Sequence, residues 1–383
     1  MTKATKHRGV DPTLQQIDEQ LYVSVQHIDI LTAIAPTNYL DQKKQFFESN
    51  FSKAPQFTYN QNNIALFEKK RQLFNLPIEQ LNNKALYTLY SEVIQSYVDK
   101  LDQFQHIGSP EFLYDSLRYY GEPANSELKN AHYLLHVTSD LEKTETDTVS
   151  IEEIQHFFEN FAQANHYPLK LEIVDSMIAN ALVSGDVVKI NRKAKINRQQ
   201  LKALAHHELG VHLATSLNAK AQPLKILALG SPVNTTSQEG LAMLCEYLAG
   251  FMSLDRLRML ALRVVSVDSM IKEKDFRRTF SMLVEEFKLS EEKAFAMCSR
   301  VYRGGGFTKD YLYLKGFKQI ITAYNSKTNI NNLLCGKISM EQLPLINKLV
   351  DQGVFIAPNF ISPAIRRPME TDPVLKFVVD SLK

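Results

Sequence analysis

The sequence predicts a mostly helical α+β protein, with a helical N-terminal half and a small β-sheet just ahead of a histidine-bearing helix. Three observations predict it. Apolar residues recur at helical spacing through much of the first 120 residues, as at Ile17, Leu21, Val25, Ile28 and Leu31. Short β-leaning runs bounded by turn signals lie between residues 169 and 191. Asn197 followed three residues later by Gln200 then makes a capping box, which starts a helix at Arg198.

Taken in order, the chain is ordered from Asp11-Pro12 onward, and a helix runs from Leu14 to about Ile34. A second spans Tyr39 to Asn50, and residues 54–60 form an aromatic-bearing loop that straps across helices. Residues 62–74, 79–106 and 110–120 are helical, and Gly121-Glu122-Pro123 breaks the pattern. This break predicts a helical N-terminal subdomain over 1–125 and a second subdomain over 126–383, packed as one compact unit. Residues 131–138 are short, apolar and β-leaning, an acidic linker covers Ser139 to Thr148, and Ile151 to Asn165 is a helix. Strands follow at 169–174, 179–183 and 187–191, the last two joined by a turn at Ser184-Gly185. Beyond the histidine helix, helices are expected over 241–265, 268–289, 291–302 and 311–324, with another from Ser339 to Gly353. Gly304-Gly305-Gly306 is a turn without phosphate-loop spacing, and the tail, with Pro358, Pro363 and Pro368, is expected to be extended.

The totals narrow the function. At 383 residues, with 44% hydrophobic and 22% charged, the chain has ordinary globular composition and enough length for a substantial core. A net charge of +2 argues against a nucleic-acid footprint. Cys245, Cys298 and Cys335 are odd in number and widely spaced, which suits buried thiols in a reducing compartment. The opening residues lack an apolar signal core, and no run of 18 apolar residues occurs. A cytoplasmic location with no membrane partner is expected; the oligomeric state is not indicated.

The chemistry concentrates on the helix Leu201 to Asn218. His207-Glu208-Leu209-Gly210-Val211-His212 reads HExxxH, close to the layout of zinc-peptidase helices. Five residues apart, the two histidines are about 140° apart on an ideal helix, too wide for one metal ion. A single-residue π-bulge or a local unwinding would restore convergence, and Gly210 lowers the barrier to that distortion. Otherwise the histidines are simply satisfied polar groups on a helix face. Glu239, after a loop, offers a third ligand, which would make an open catalytic zinc site. Thr236-x-x-Glu239 is also a capping box, which would make Glu239 structural. Glu246, seven residues on, has nearly the same azimuth and could orient a ligating histidine.

With HHELGVH followed by Gln238-Glu239-Gly240-Leu241-Ala242, the sequence resembles the QEGLA-motif family, which includes the microtubule-associated tyrosine carboxypeptidases. The likeness takes in Ile190-Asn191, Arg300 to Asp310 and Tyr311 to Gly316, and extends from about residue 20 to about residue 370. The resemblance implies a zincin-like catalytic unit in which His207, His212 and Glu239 bind Zn2+ and Glu208 is catalytic. It also implies a carboxypeptidase that acts on a peptide or protein C-terminus, with an aromatic residue as one candidate for removal. Tyr311 is then the first candidate to stabilise the oxyanion, ahead of Tyr313 and Arg303. Arg300, Arg303 and Lys309 are candidates to bind the terminal carboxylate, a task that suits the planar arginine fork. Alternatives are an endopeptidase or aminopeptidase, or a zinc-bearing regulatory protein without turnover. The intact Glu208 weighs against the last, since a structural site needs no general base.

Overall fold

Asp11 caps the first helix by accepting the amide of Thr13 at 2.9 Å, and Pro12 takes the position where a missing N–H is harmless. The structure is a computed structural model that describes residues 11–61, 64–138, 148–175, 177, 179–230 and 234–383. The helix expected over 14–34 is two. α1 (Pro12–Val25) ends, and Asp29 accepts the amides of Leu31 and Thr32 to start α2 (Ile30–Ala33). α3 (Tyr39–Glu48), α4 (Leu66–Phe74), α5 (Lys84–Gln105) and α6 (Phe112–Tyr120) follow the expected order.

Residues 131–138 are a correction, because they are the second half of a helix, α7 (Asn125–Val137). Glu127 accepts the Ala124 amide at 2.8 Å, and Ala131, Leu134 and Leu135 are buried on one face. Their spacing is helical, which outweighs their β-leaning composition. The acidic linker at 139–147 lies outside the described residues. α8 (Ile151–Ala164) opens on a full capping box of Ser150 and Glu153.

The three expected strands form one sheet in the order β1-β3-β2. β2 (Ala181–Ser184) and β3 (Val187–Asn191) are an antiparallel hairpin, with Gly185 at φ 64° in the turn. β1 (Lys170–Val174) runs parallel to β3, with Lys170 opposite Val187. The sheet buries Val188 and Ile190 with α8 residues Ile154 and Phe158 in a compact apolar cluster. Leu201, Ala205, Leu209 and Leu213 of the next rod complete it.

That rod is continuous: α9 (Arg198–His207), a π-helical segment Glu208–Leu213, and α10 (Ala214–Lys220). After α11 (Ile226–Leu229) come α12 (Asn234–Leu248) and α13 (Leu254–Glu273). Gly250, at φ 73°, breaks the helix expected over 241–265, and Ser253 recaps the chain. The helix expected over 268–289 is likewise split. Its start completes α13, and Asp275 caps α14 (Phe276–Ser281). α15 (Glu291–Tyr302), α16 (Leu312–Asn325) and α17 (Leu343–Asp351) follow. The tail is not purely extended, because its prolines start two helices, α18 (Pro363–Arg366) and α19 (Pro373–Asp380).

The protein is 65% helical with a small sheet, an α+β fold. A second, larger apolar cluster takes in residues from Leu14 to Leu382 and includes both α5 and α13. Cys245, Cys298 and Cys335 are free and buried. Among the described residues no helix is long and apolar enough to cross a membrane.

Candidate active site

The π-helical segment resolves the spacing problem posed by HExxxH. The amide of Ala214 reaches back five residues to the carbonyl of Leu209, so one extra residue is taken up in this turn. His212 is thereby rotated toward His207, and their rings lie 5.0 Å apart. Gly210 is also closely packed at this turn. A Cβ would sit 3.1 Å from the Ser362 hydroxyl.

Glu239 comes from α12, which lies against α9 and α16. Gly240 meets Gly316 of α16 backbone to backbone, and a Cβ at either glycine would collide with the other helix. The close crossing sets the depth at which Glu239 projects. Thr236 and Glu239 both lie inside α12, so the capping-box reading of Glu239 does not hold. Glu239 Oε2 lies 3.4 Å from His207 Nε2 and 3.7 Å from His212 Nε2. The three donor atoms all fall within 4.8 Å of one another, and the group could hold a metal ion.

A layer of charged groups fixes these side chains. Glu246, two turns along α12, sits 2.6 Å from His207 Nδ1. Arg256 of α13 grips Glu246 with Nε at 3.1 Å and a terminal nitrogen at 3.0 Å. Burial alone would raise the Glu246 pKa, but Arg256 and His207 pull it down to about 2. Burial disfavours a charged His207, yet Glu239 and Glu246 outweigh it and raise the imidazole to about 10. Glu239 is held well below the ordinary range by both histidines and Lys309, against its burial. Glu208 is buried, and one carboxylate oxygen has no partner among the described residues. Burial raises its pKa despite the pull of His207 and His212.

The basic residues expected from the sequence divide by role. Lys309 lies at the cluster, 3.6 Å from Glu239 Oε1. Arg300 is a correction as an open carboxylate binder. Its fork is closed on buried Asp310, with bonds of 2.6 and 3.1 Å. Arg303 is 9% exposed, its guanidinium is stacked 4.9 Å from the Phe307 ring, and its Nε has no partner. Tyr311 is also corrected: its hydroxyl donates to the Tyr120 carbonyl at 2.6 Å and is not free. Tyr313 is the phenol at the basic cluster, with Lys309 5.5 Å and Arg263 4.6 Å from its ring centre.

Sequence reasoning missed Arg263 and Arg256, which arrive from α13 with no motif to mark them. Arg263 and Arg303 have no carboxylate within 4.0 Å among the described residues, although Asp310 interacts with both from farther off. Burial, then the nearby Arg300, presses the pKa of each below the usual arginine value. Lys309, Arg263 and Arg303 therefore form a basic cluster beside Tyr313 and Glu239.

Residues 44–383 match the family model of the microtubule-associated tyrosine carboxypeptidases. No curated protein matches the chain. Among solved structures it is similar to that of a candidate lipoprotein from Colwellia psychrerythraea, at a TM-score of 0.45 and 15% identity. That likeness covers 96% of this chain and 74% of the other.

Proposed function

Because the chain belongs to the microtubule-associated tyrosine carboxypeptidase family, we propose that it is a zinc-dependent metallocarboxypeptidase that removes the last residue of a peptide or protein. The convergence of His207, His212 and Glu239 beside Glu208 is the observation that carries this reading. Four-coordinate zinc, with bonds of about 2.0–2.2 Å, needs donor atoms roughly 3.3–3.6 Å apart. The observed separation of 3.4 Å falls in this range, and that of 3.7 Å lies just beyond its upper end. Two imidazoles and one carboxylate also match the ligand count of a catalytic zinc rather than a structural one. With the sheet ahead of the histidine helix, the arrangement suits a zincin-like unit.

His207 and His212 would hold zinc through Nε2 and Glu239 through Oε2, while Glu246 fixes the His207 tautomer from Nδ1. When bound, zinc supplies a Lewis acid that lowers the pKa of a water toward 7 and polarises the scissile carbonyl. Glu208 accepts the proton of the attacking water and passes it to the departing amine. Tyr313, rather than Tyr311, donates to the developing oxyanion. Arg303, Arg263 and Lys309 hold the terminal carboxylate, and Arg300 keeps Asp310 neutralised so that it does not compete. A terminal carboxylate would give Arg303 and Arg263 the close anionic partner they lack among the described residues, which favours carboxypeptidase over endopeptidase action. β2 is an edge strand beside the π-helical segment and offers its outer side to the substrate backbone. The family name points to tyrosine as the residue removed, and an aromatic terminal residue is the first candidate here.

Purified protein is expected to bind about one zinc per chain at this open site, and Glu208→Gln to keep the metal and the fold while hydrolysis stops. Metal analysis and mass spectrometry of peptides ending in Tyr, Phe or Glu measure both. Full zinc occupancy in both His207→Ala and His212→Ala, or unchanged turnover in Glu208→Gln, would contradict the reading.

A further inference from the structure

The aromatic strap of residues 54–60 ends at the glycine turn that follows Arg303. Thr37 and Asn38, just ahead of α3, pin it in place. The Thr37 amide and hydroxyl both donate to the Thr58 carbonyl, at 2.9 and 3.1 Å. The Asn38 side chain accepts the Thr58 amide at 3.0 Å and donates to the Gln56 carbonyl at 2.8 Å. Residues 56, 58 and 60 are exposed, whereas Phe57 and Tyr59 are half-buried, the alternation of extended backbone. Phe57 packs on Phe276, with ring centres 6.3 Å apart.

Tyr59 reaches the turn itself. Its hydroxyl oxygen accepts the Gly304 amide at 2.8 Å. Its ring covers Gly108, where a Cβ would meet it at 3.2 Å. The Gly108 amide in turn donates to the Gly304 carbonyl at 2.7 Å. Gly304 is thus held at both its N–H and its C=O, with φ at 74° and no room for a Cβ, which would strike the Phe112 ring at 2.6 Å.

The consequence falls on Arg303. The Gly304 N–H lies in the planar peptide unit that leaves the Arg303 Cα, so holding it constrains the Arg303 ψ angle. That angle is 150°, which takes the chain out of α15. The Arg303 side chain has few restraints of its own. Its guanidinium stacks on Phe307, its Nε has no partner, and no carboxylate lies within 4.0 Å among the described residues. Its aim is therefore set chiefly from the backbone. Burial pushes the Tyr59 phenol up to about 12, against the pull of the Gly304 amide and Arg303, so the acceptor stays a neutral hydroxyl.

We propose that Tyr59 is a positioning residue for the terminal carboxylate: through Gly304 it sets the direction in which Arg303 points, without touching the substrate itself. The assignment rests on the carboxypeptidase reading, in which Arg303 holds that carboxylate.

The test is binding to the full chain, zinc-loaded and carrying Glu208→Gln so that no turnover occurs. The probe is a fluorescent hexapeptide ending in Tyr, offered as free acid and as amide, and the readout is the ratio of the two dissociation constants. Tyr59→Phe keeps the ring over Gly108 and removes the acceptor. It is expected to lower the free-acid preference roughly three- to tenfold and leave the affinity for the amide unchanged. Added to Arg303→Ala, the same change is expected to lower the preference no further, because two residues that act through one contact are not additive. Thr37→Val removes a hydroxyl from the same strap without touching Gly304, and is expected to keep the preference. An unchanged ratio in Tyr59→Phe, a full further loss on top of Arg303→Ala, or an equal loss in Thr37→Val would overturn the positioning role while the carboxypeptidase reading stands. A parent that binds free acid and amide equally overturns that reading, and the role of Tyr59 with it.

Discussion

At the residue scale, Glu239 carries the sharpest prediction. Glu239→Gln swaps an anionic oxygen of the proposed zinc site for a neutral amide, and zinc affinity measured by chelator competition is expected to fall more than about 100-fold. Glu246→Gln acts on His207 from behind and is expected to cost less, roughly 10–100-fold. Unchanged affinity in Glu239→Gln would remove it from the ligand set. Arg303→Ala is expected to weaken the preference for free over amidated C-termini by on the order of 2–5 kcal/mol, read from kcat/KM. Much of this site was legible in the sequence because its parts lie close along the chain. The histidine pair, Glu208, Glu239 and Glu246 all announce themselves by spacing. Arg256 and Arg263 did not, because tertiary packing alone delivers them. Proximity to the motif also misled: Tyr311 and Arg300 lie in it, yet the first is bonded to Tyr120 and the second to Asp310.

At the element scale, the π-helical segment and the α12–α16 crossing bring His207, His212 and Glu239 together. The segment was readable, since two histidines five apart on one helix cannot otherwise converge. The crossing was not, because Gly240 and Gly316 lie 76 residues apart in sequence and neither is in a turn. Gly240→Ala is expected to destabilise by on the order of 2–3 kcal/mol, because the methyl group meets helix backbone that cannot rotate away. Gly185→Ala, in an open hairpin turn with positive φ, is expected to cost about 1 kcal/mol. Chemical denaturation of both variants measures the contrast, and equal costs would contradict the close crossing. Other elements were misread for local reasons. Residues 131–138 look β-leaning until Glu127 is seen to cap the helix before them, and prolines in the tail begin helices rather than exclude them.

At the scale of the whole molecule, a buried ion pair supports the basic pocket. Burial opposes the Asp310 charge, but Arg300 and Arg263 hold its carboxyl well below the ordinary range. A depressed folded-state pKa contributes stability that is fully present above the unfolded value of about 3.9 and is lost as pH falls below it. Asp310→Asn is expected to cost about 3–5 kcal/mol at pH 7, because it leaves Arg300 buried and unpaired. The variant is also expected to lack this component of the wild-type acid destabilisation, as urea titrations at pH 7 and pH 3 would show. Bound zinc, held between the histidine rod and α12, is expected to raise the melting temperature, and a chelator to reverse the rise. The central claim is that the metal ligands and the basic pocket together read a free C-terminus. Mass spectrometry of one peptide offered as free acid and as amide tests it most directly. Loss of a single terminal residue from the free acid alone is the predicted result; equal cleavage of both, or a cut within the chain, would contradict it.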